Sequence, residues 1–542
     1  MSRFIDDVLS NSTSDRGFSY GEPDALRRKT WAELLRHSRC AAQSLTEHGA
    51  SMGSRVAILA GEPEDVVVSV LACWLLGASA TMLHQPTHRT DLTVWARDTL
   101  RSLDVIDAKL VLIGTPFDSA ATILAEHDVP SVSIARLGAS TPLEPADVPD
   151  DTLALLQLTS GSTGTPKAVA ITHANLYASG HAIARSADID PAGDIGVSWL
   201  PLFHDMGMVG FVATPLQFGI EVVCVSPTHF LRAPLVWMDL ITRYRGTMTA
   251  APNFAYEIAA RRMELAADGA FDLSSMRFAL NGAEPIDATA VARFIEAGAR
   301  FGLSPGAVVP AYGMAEATLA VSFSPVGLGV RTDAVRADSI ETAGYAQPTE
   351  DADARMFVTL GPPVPGVEAR VLDDTGASVA PRTVGEIFIA GAAVTDGYFT
   401  ENGYSSARND AGWLPTGDLG YLTESGEIVV CGRKKDTIIV GGRNIFPTDI
   451  ERAAATVAGV RRGNTVAVRL EPGEIREGFA VAVESAEWND DEHVARIQRE
   501  VTRVVRDSVG ATPRSVAVVG PGSIPKTPSG KVRRTNSAHL IR

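Results

Sequence analysis

Thr152-Leu153-Ala154-Leu155-Leu156-Gln157-Leu158 is an uncharged, mostly apolar run that passes without a break into Thr159-Ser160-Gly161-Ser162-Thr163-Gly164-Thr165-Pro166-Lys167. The first half has the length and residue types of a buried strand, and the second is rich in residues that let a backbone turn sharply. In such a loop successive N–H groups can converge on phosphate oxygens. The Ser and Thr hydroxyls add donors, and Lys167 adds positive charge. This is not a Walker loop, because Pro166 precedes the lysine and no Ser or Thr follows it. On composition alone it reads equally well as a flexible surface turn.

Similar short runs lie on either side of it. Arg55-Val56-Ala57-Ile58-Leu59-Ala60 and Ala108-Lys109-Leu110-Val111-Leu112-Ile113 alternate with longer helical patterns, as they do through about the first 430 residues. Alternation of this kind implies parallel sheets covered by helices. The uncharged stretch from Val66 to Leu83 is long enough to be tested as a membrane span. Ser69, Gly77, Ser79 and Thr81 interrupt it, and the break at Gly77-Ala78 reads as a buried helix followed by a buried strand.

The pattern changes after Gly432-Arg433-Lys434-Lys435-Asp436. Val466-Ala467-Val468, Phe479 to Val483 and Ser515 to Val519 read as short strands around a helix near Asp491 to Ser508, a compact α+β unit. The tail from Gly522 to Arg534 carries Pro525, Pro528, Gly530 and basic residues, and is expected to be an exposed loop. The expected fold is therefore α/β: a large N-terminal domain of parallel-rich sheets and helices over 1–433, a joint at 434–436, and a small α+β domain over 437–542.

A chain of 542 residues, 45% hydrophobic and 21% charged, needs more than one core. Its net charge of −16 argues against nucleic acid, whose phosphates need clustered Lys and Arg in excess. Cys40, Cys73, Cys224 and Cys431 are scattered and form no C-x-x-C pair, which speaks against a zinc site or a disulfide framework and fits a reducing cytoplasm. The N-terminus, with Arg3, Asp6 and Asp7, lacks the apolar segment of a secretion signal. A cytoplasmic protein without stable membrane insertion is expected.

Further motifs follow the loop in a definite order. They are Trp199-Leu200-Pro201-Leu202-Phe203-His204-Asp205-Met206-Gly207, Asn281-Gly282-Ala283-Glu284-Pro285, Tyr312-Gly313-Met314-Ala315-Glu316, Thr416-Gly417-Asp418, Gly432-Arg433 and Pro528-Ser529-Gly530-Lys531. Together with Leu158 to Lys167 they resemble, in sequence and order, the motifs of the acyl-adenylate-forming superfamily of acyl-CoA ligases, adenylation domains and luciferases. The resemblance spans nearly the whole chain and is weakest before Ser54. It implies the fold of these enzymes, with a mobile C-terminal domain, and ATP and Mg²⁺ as cofactors.

The roles it implies have a chemical basis. Thr159, Ser160, Gly161, Ser162, Thr163, Gly164 and Lys167 would hold the triphosphate. Glu316, with Thr159, would hold Mg²⁺, a hard cation that wants oxygen ligands. Gly282, Ala283 and Glu284, with Tyr312, Gly313, Met314 and Ala315, would line the adenine, where small residues permit close approach and an aromatic face can stack. Asp418 would accept the ribose hydroxyls, and Arg433 would be a second ribose or phosphate contact or else a structural salt-bridge residue. Lys531 would be the catalytic lysine, offsetting the repulsion when a carboxylate attacks the α-phosphorus. Lys526 is its nearby competitor. Lys435 matches the family hinge, about which the small domain would swing.

His204 and Asp205 could suggest a hydrolase pair, but the chain has no G-x-S-x-G elbow. By the resemblance His204 stands beside the acid-binding site and could open or close an acyl tunnel. Asp205 admits a rival, since amino-acid-activating relatives hold the substrate amine with an aspartate near here. Trp199, Phe203, Met206, Met208 and Phe211 could line the tunnel or be plain core.

Leu-Pro-Leu-Phe-His-Asp-Met-Gly, Ala251-Pro252-Asn253-Phe254-Ala255-Tyr256 and Gly442 to Glu451 are most similar to fatty acyl-AMP ligases, in particular to the acyl-carrier-protein ligases of mycobactin-type siderophore pathways. The long segment between Val321 and Gly361, including Val330 to Met356, resembles the insertion that in those enzymes restrains the small domain and disfavours free CoA. It also has the polarity of a tolerated surface loop. The activity implied is conversion of a fatty acid to acyl-AMP, then transfer to the phosphopantetheine arm of an acyl carrier protein. The alternatives are an acyl-CoA ligase, an amino or aryl acid adenylating enzyme, and a catalytically silent acyl- or nucleotide-binding module.

Overall fold

The apolar run before the glycine-rich loop is the strand Leu153–Ser160, and Pro166–Thr172 returns beside it antiparallel, setting Thr159 opposite Lys167 and Ser160 opposite Pro166. These elements come from a computed structural model that describes residues 1–86, 90–138, 140–160, 166–352, 354–471, 477–526 and 532–541. The loop is thus carried by a hairpin and not by a strand-to-helix turn, in keeping with the lack of a Walker pattern.

The hairpin lies inside an eight-stranded sheet. On one side stand the parallel strands Ser79–Met82, Arg55–Leu59, Leu110–Ile113 and Ser131–Ser133, which include the two apolar runs read as strands from sequence. On the other side Gly397–Thr400 and then Gly403–Ser406 are added antiparallel. The uncharged stretch resolves as expected into the helix Pro63–Leu76 and the strand Ser79–Met82. Pro63 opens the helix, Glu64 and Asp65 occupy its first turn, and Gly77 at φ +76° ends it. Every residue from Val66 to Leu76 is buried, so the helix is apolar all round because it is a core helix. Among the described residues no helix is long and apolar enough to cross a membrane.

A second eight-stranded sheet runs parallel through Val308–Gly313, Phe278–Gly282, Met248–Pro252, Ile195–Ser198, Glu221–Cys224 and Gly17–Tyr20, with antiparallel edges Ala320–Phe323 and Arg27–Thr30. The helix His173–Ser186 touches strands of both sheets, so helices are layered between and around them. The chain is an α/β protein with mixed sheets in which parallel pairing prevails at these two cores.

Two compact units emerge: Met1–Val330 with Gly361–Glu368 and Ile389–Leu414, and Arg331–Leu360 with Ala369–Phe388 and Pro415–Arg542. Both large sheets belong to the first unit. In the second, the strands Thr465–Leu470, Gly478–Glu484 and Val516–Val519 form a mixed sheet. Asp490 caps the helix Asp491–Val509, whose Ile497, Val501, Val505 and Val509 recur every four residues and pack on Phe479, Val481 and Val483.

The long segment after Val330, open in sequence to an insertion or a surface loop, is not a loose loop: Thr332–Val335, Ala337–Ala343 and Arg355–Val358 bury Val335, Ile340 and Phe357 against Tyr421, Val429, Cys431 and Phe446. The tail is not wholly exposed either, because Ile524 is 3% exposed and packs with Val466, Val468 and Ala482.

Candidate active site

In the first unit four of the sequence motifs follow the carboxyl ends of neighbouring parallel strands. Trp199 to Gly207 follows Ile195–Ser198, Phe254 follows Met248–Pro252, Ala283 and Glu284 follow Phe278–Gly282, and Tyr312 and Gly313 end Val308–Gly313. Register holds these ends side by side, with Ala251 opposite Asn281 and Asn281 opposite Pro310. The crevice outside such strand ends is where open α/β sheets bind ligands.

Local chemistry fixes each motif. A Cβ at Gly207 would lie 2.3 Å from the Pro201 carbonyl oxygen, so the tight turn from Pro201 to Gly207 needs glycine. His204 caps the short helix Asp205–Met208, its Nδ1 2.6 Å from the Asp205 carboxylate, and a π-helical turn, Val209–Ala213, follows. Irregular helical turns of this kind concentrate at functional sites. Gln157, buried on the phosphate hairpin, donates to the Phe203 carbonyl at 2.9 Å and so ties the hairpin to the turn that presents His204. Trp199, Phe203, Met206, Met208 and Phe211 are all buried, and Trp199 stacks on Phe230 at 3.9 Å.

Around the adenine candidates, Ala283 takes φ +68°, a conformation an alanine adopts at a cost. The Glu284 carboxylate accepts from the Phe254 N–H at 2.6 Å, at the start of the helix Asn253–Met263, so this side chain serves the helix end. Asn281 and Asn253, both buried, join Nδ2 to Oδ1 at 3.2 Å. The Tyr312 hydroxyl points toward the Met314 sulfur at 3.9 Å.

Glu316 stands on the short turn Ala315–Ala317. The turn is held by Thr318 at φ +63°, whose hydroxyl donates to the Ala393 carbonyl at 2.6 Å, and by Gly313, where a Cβ would meet the Leu319 carbonyl oxygen at 2.2 Å. Its carboxylate is 12% exposed and receives two donors on one oxygen. Lys167 Nζ lies 3.4 Å away and the Tyr398 hydroxyl 3.1 Å away. Lys167 also sits 3.8 Å from the centroid of the Tyr398 ring. Burial, then the Glu316 charge, holds the Tyr398 hydroxyl far above its ordinary pKa, so it is a donor at any physiological pH. Thr159 lies opposite Lys167 on the hairpin, its hydroxyl 3.5 Å from the Lys167 carbonyl. Thr159, Lys167 and Glu316, far apart in sequence, are thereby gathered into one place.

In the second unit Asp418 and Arg433 face each other across the strands Leu414–Leu422 and Ile428–Arg433. Arg433 Nε is 2.9 Å from Asp418 Oδ1, and Asp418 is buried while Arg433 is half exposed. Lys435 lies on the turn Lys434–Asp436. Arg534 reaches Asp436 at 3.3 Å and Glu451 at 2.7 Å, and the Ile524 N–H donates to Glu484 at 3.1 Å, so the chain is anchored on both sides of the Lys526 to Val532 pairing. Lys526 Nζ donates to the Gly463 carbonyl at 3.1 Å. Lys531, Gly161, Ser162, Thr163 and Gly164 lie outside the described residues, as does the side chain of Ser160.

Gln157 and Asn253 lie in stretches quoted from the sequence but carry no role there, and Tyr398 lies in none of them. Tyr398 stands in the short run Gly397-Tyr398-Phe399, which carries no motif in the sequence analysis; its long-range pairing, opposite Val169 on the hairpin strand, brings it to Lys167.

Residues 10–399 match the family model described as AMP-binding enzyme. The chain is 50% identical over 543 aligned residues to "Putative ligase Rv1013" of Mycobacterium tuberculosis, with 100% of both chains covered. It is 34% identical to "Long-chain-fatty-acid–AMP ligase FadD26" of Mycobacterium marinum, covering 93% of this chain and 90% of the relative. A solved structure from studies of the fatty acyl-adenylate ligases of E. coli and L. pneumophila superposes with a TM-score of 0.90 at 30% identity, over 99% of this chain and 97% of its own.

Proposed function

The chain belongs to the AMP-binding enzymes, and on that premise we propose that it activates a medium- to long-chain fatty acid with ATP and delivers the acyl group to an acyl carrier protein. The observation that carries this reading is the cluster of Lys167, Glu316 and Thr159 on the hairpin and the strand-end turn of the first unit. The similarity to fatty acyl-AMP and fatty acyl-adenylate ligases supports the fatty acid as substrate.

In the first step a carboxylate oxygen attacks the α-phosphorus of ATP, the bond from that phosphorus to the β-phosphate oxygen breaks, and pyrophosphate leaves. Lys167 and the hairpin N–H groups would hold the triphosphate, and Lys531 would offset the charge at the α-phosphorus. The backbone of 282–284 and Tyr312 to Ala315 would contact adenine. Asp418, oriented by Arg433, would accept the ribose hydroxyls.

Mg²⁺ fits the oxygen donors of Glu316 and Thr159. Mg²⁺ usually takes one or two protein carboxylates and completes its shell with water and phosphate. Bound there, it would neutralise phosphate charge.

In the second step the phosphopantetheine thiol sulfur attacks the acyl carbon, the bond from that carbon to the AMP oxygen breaks, and the thiol proton passes to solvent. The domain boundary at 434–436, with Lys435 as hinge, belongs to this reading, since Lys531 has no part in the second step.

The resemblance of the segment after Val330 to an insertion that disfavours free CoA points to a carrier protein, and its attachment supports that reading. Glu341, 3% exposed, takes Arg355 at 3.1 Å and Arg443 at 3.0 Å, and Arg355 also reaches Asp449 at 2.6 Å. These pairs fasten the insertion to the hairpin and helix that begin the segment after 437. A cytoplasmic setting in siderophore or other lipid-linked biosynthesis accords with the sequence resemblance. The test is to supply enzyme, MgATP and a fatty acid with either CoA or holo-carrier protein. Thioester on the carrier with little acyl-CoA is expected; efficient acyl-CoA formation would make the enzyme an acyl-CoA ligase.

A further inference from the structure

The side chain that Lys167 and Glu316 share is Tyr398, and no motif had singled it out. Its two ends do different things. The hydroxyl donates to Glu316 Oε1 at 3.1 Å, while the ring face lies 3.8 Å from the Lys167 ammonium. Lys167 and Glu316 also meet directly, at 3.4 Å. All three groups are at least partly withdrawn from water, Glu316 more than Lys167.

This arrangement raises a physical problem for nucleotide binding. A lysine that must hold phosphate and a carboxylate that must hold a cation neutralise one another when paired, so the pair has to open when metal and triphosphate arrive. Once opened, each flexible side chain would regain rotamer freedom unless something else fixed it. Tyr398 supplies a separate anchor to each: a charge-assisted hydrogen bond for the carboxylate and a cation–π contact for the ammonium. It is well placed to do so, because the strand Gly397–Thr400 is fixed against the hairpin strand that carries Lys167, with Tyr398 opposite Val169 and Phe399 opposite Ala168.

We infer that Tyr398 is a positioning residue that holds Glu316 through its hydroxyl and Lys167 through its ring, keeping both aimed when the Lys167–Glu316 pair gives way to metal-bound nucleotide. The inference rests on the proposed roles of Glu316 at the metal and Lys167 at the triphosphate.

The two anchors can be separated. Tyr398→Phe removes the hydroxyl and keeps the ring; Tyr398→Leu removes both. Calorimetric titration with ATP is run with excess Mg²⁺ and again with EDTA, on variants whose unfolding temperature has been compared with wild type. For Tyr398→Phe, binding of MgATP is expected to weaken about tenfold, as for loss of a hydrogen bond to a charged group, with metal-free ATP bound as by wild type. For Tyr398→Leu, metal-free ATP is also expected to weaken, by about threefold to fivefold. Loss of structure alone would weaken both forms equally in both variants, and that result would overturn the inference. So would wild-type MgATP binding by Tyr398→Phe. Glu316→Gln separates this failure from failure of the premise: if Glu316→Gln binds MgATP as wild type does, the carboxylate is not the metal's, and the role of Tyr398 falls with it.

Discussion

Arg433 and Asp418 form an ion pair across two antiparallel strands, Nε to Oδ1 at 2.9 Å, with the carboxylate buried and the guanidinium half exposed. Sequence reasoning gave Arg433 two readings, a nucleotide contact or a salt-bridge residue. The two readings are compatible: an arginine that holds a buried carboxylate in one orientation would also aim its oxygens as acceptors for the ribose hydroxyls proposed above. Asp418→Asn keeps the shape and removes the charge. Its KM for ATP in acid-dependent ATP–pyrophosphate exchange is expected to rise by about tenfold or more, and that of Arg433→Gln by a smaller factor. Equal and small effects in both would mean that the pair serves only the strands.

The insertion makes a second claim measurable. Glu341 is buried between Arg355 and Arg443, and removing one partner of a buried ion pair strands the other charges. Glu341→Gln is expected to destabilise the protein by about 3 kcal/mol in denaturant unfolding. If the insertion restrains access by CoA, the same variant should also form more acyl-CoA relative to carrier thioester. Unchanged stability would show that these pairs do not hold the insertion.

A pH dependence follows from His173, which is fully buried at the start of the helix His173–Ser186, with neither ring nitrogen hydrogen-bonded among the described residues. Burial pulls its imidazole from 6.5 down to about 4, against a smaller opposing effect of Asp150. Between these values the unfolded chain binds a proton that the folded chain refuses. Stability therefore falls as pH drops from about 6.5 to 4, by about 3 kcal/mol from this group, and is independent of it above 6.5. His173→Leu should show a shallower decline over that window than wild type in urea unfolding at several pH values; parallel curves would exclude His173 as the cause.

Much of the fold was legible because its signals are local. The runs at 55–60 and 108–113, and the break at Gly77, carry their own evidence of strand and cap, and they appear as the parallel strands Arg55–Leu59 and Leu110–Ile113 and the helix stop at Gly77. What was not legible depends on partners distant in sequence. That Leu153–Ser160 pairs with Pro166–Thr172, that Tyr398 joins the latter strand, and that Gln157 holds Phe203 are facts of tertiary pairing. Glu284 shows the same dependence: its motif does not reveal that its carboxylate accepts from the Phe254 N–H at the start of the helix Asn253–Met263. In the segment after Val330 polar residues dominate, which leaves an insertion and a surface loop both open in sequence, and the few apolar ones, Val335, Ile340 and Phe357, are those that find a core.

The most direct test of acyl adenylation is fatty-acid-dependent ATP–pyrophosphate exchange by wild type and Lys531→Ala, with MgATP binding measured on the same samples. The expected result is exchange that requires the acid in wild type and is lost by at least about a hundredfold in the variant, which still binds MgATP. Exchange at the wild-type rate in Lys531→Ala, or none in wild type with any fatty acid, would contradict it.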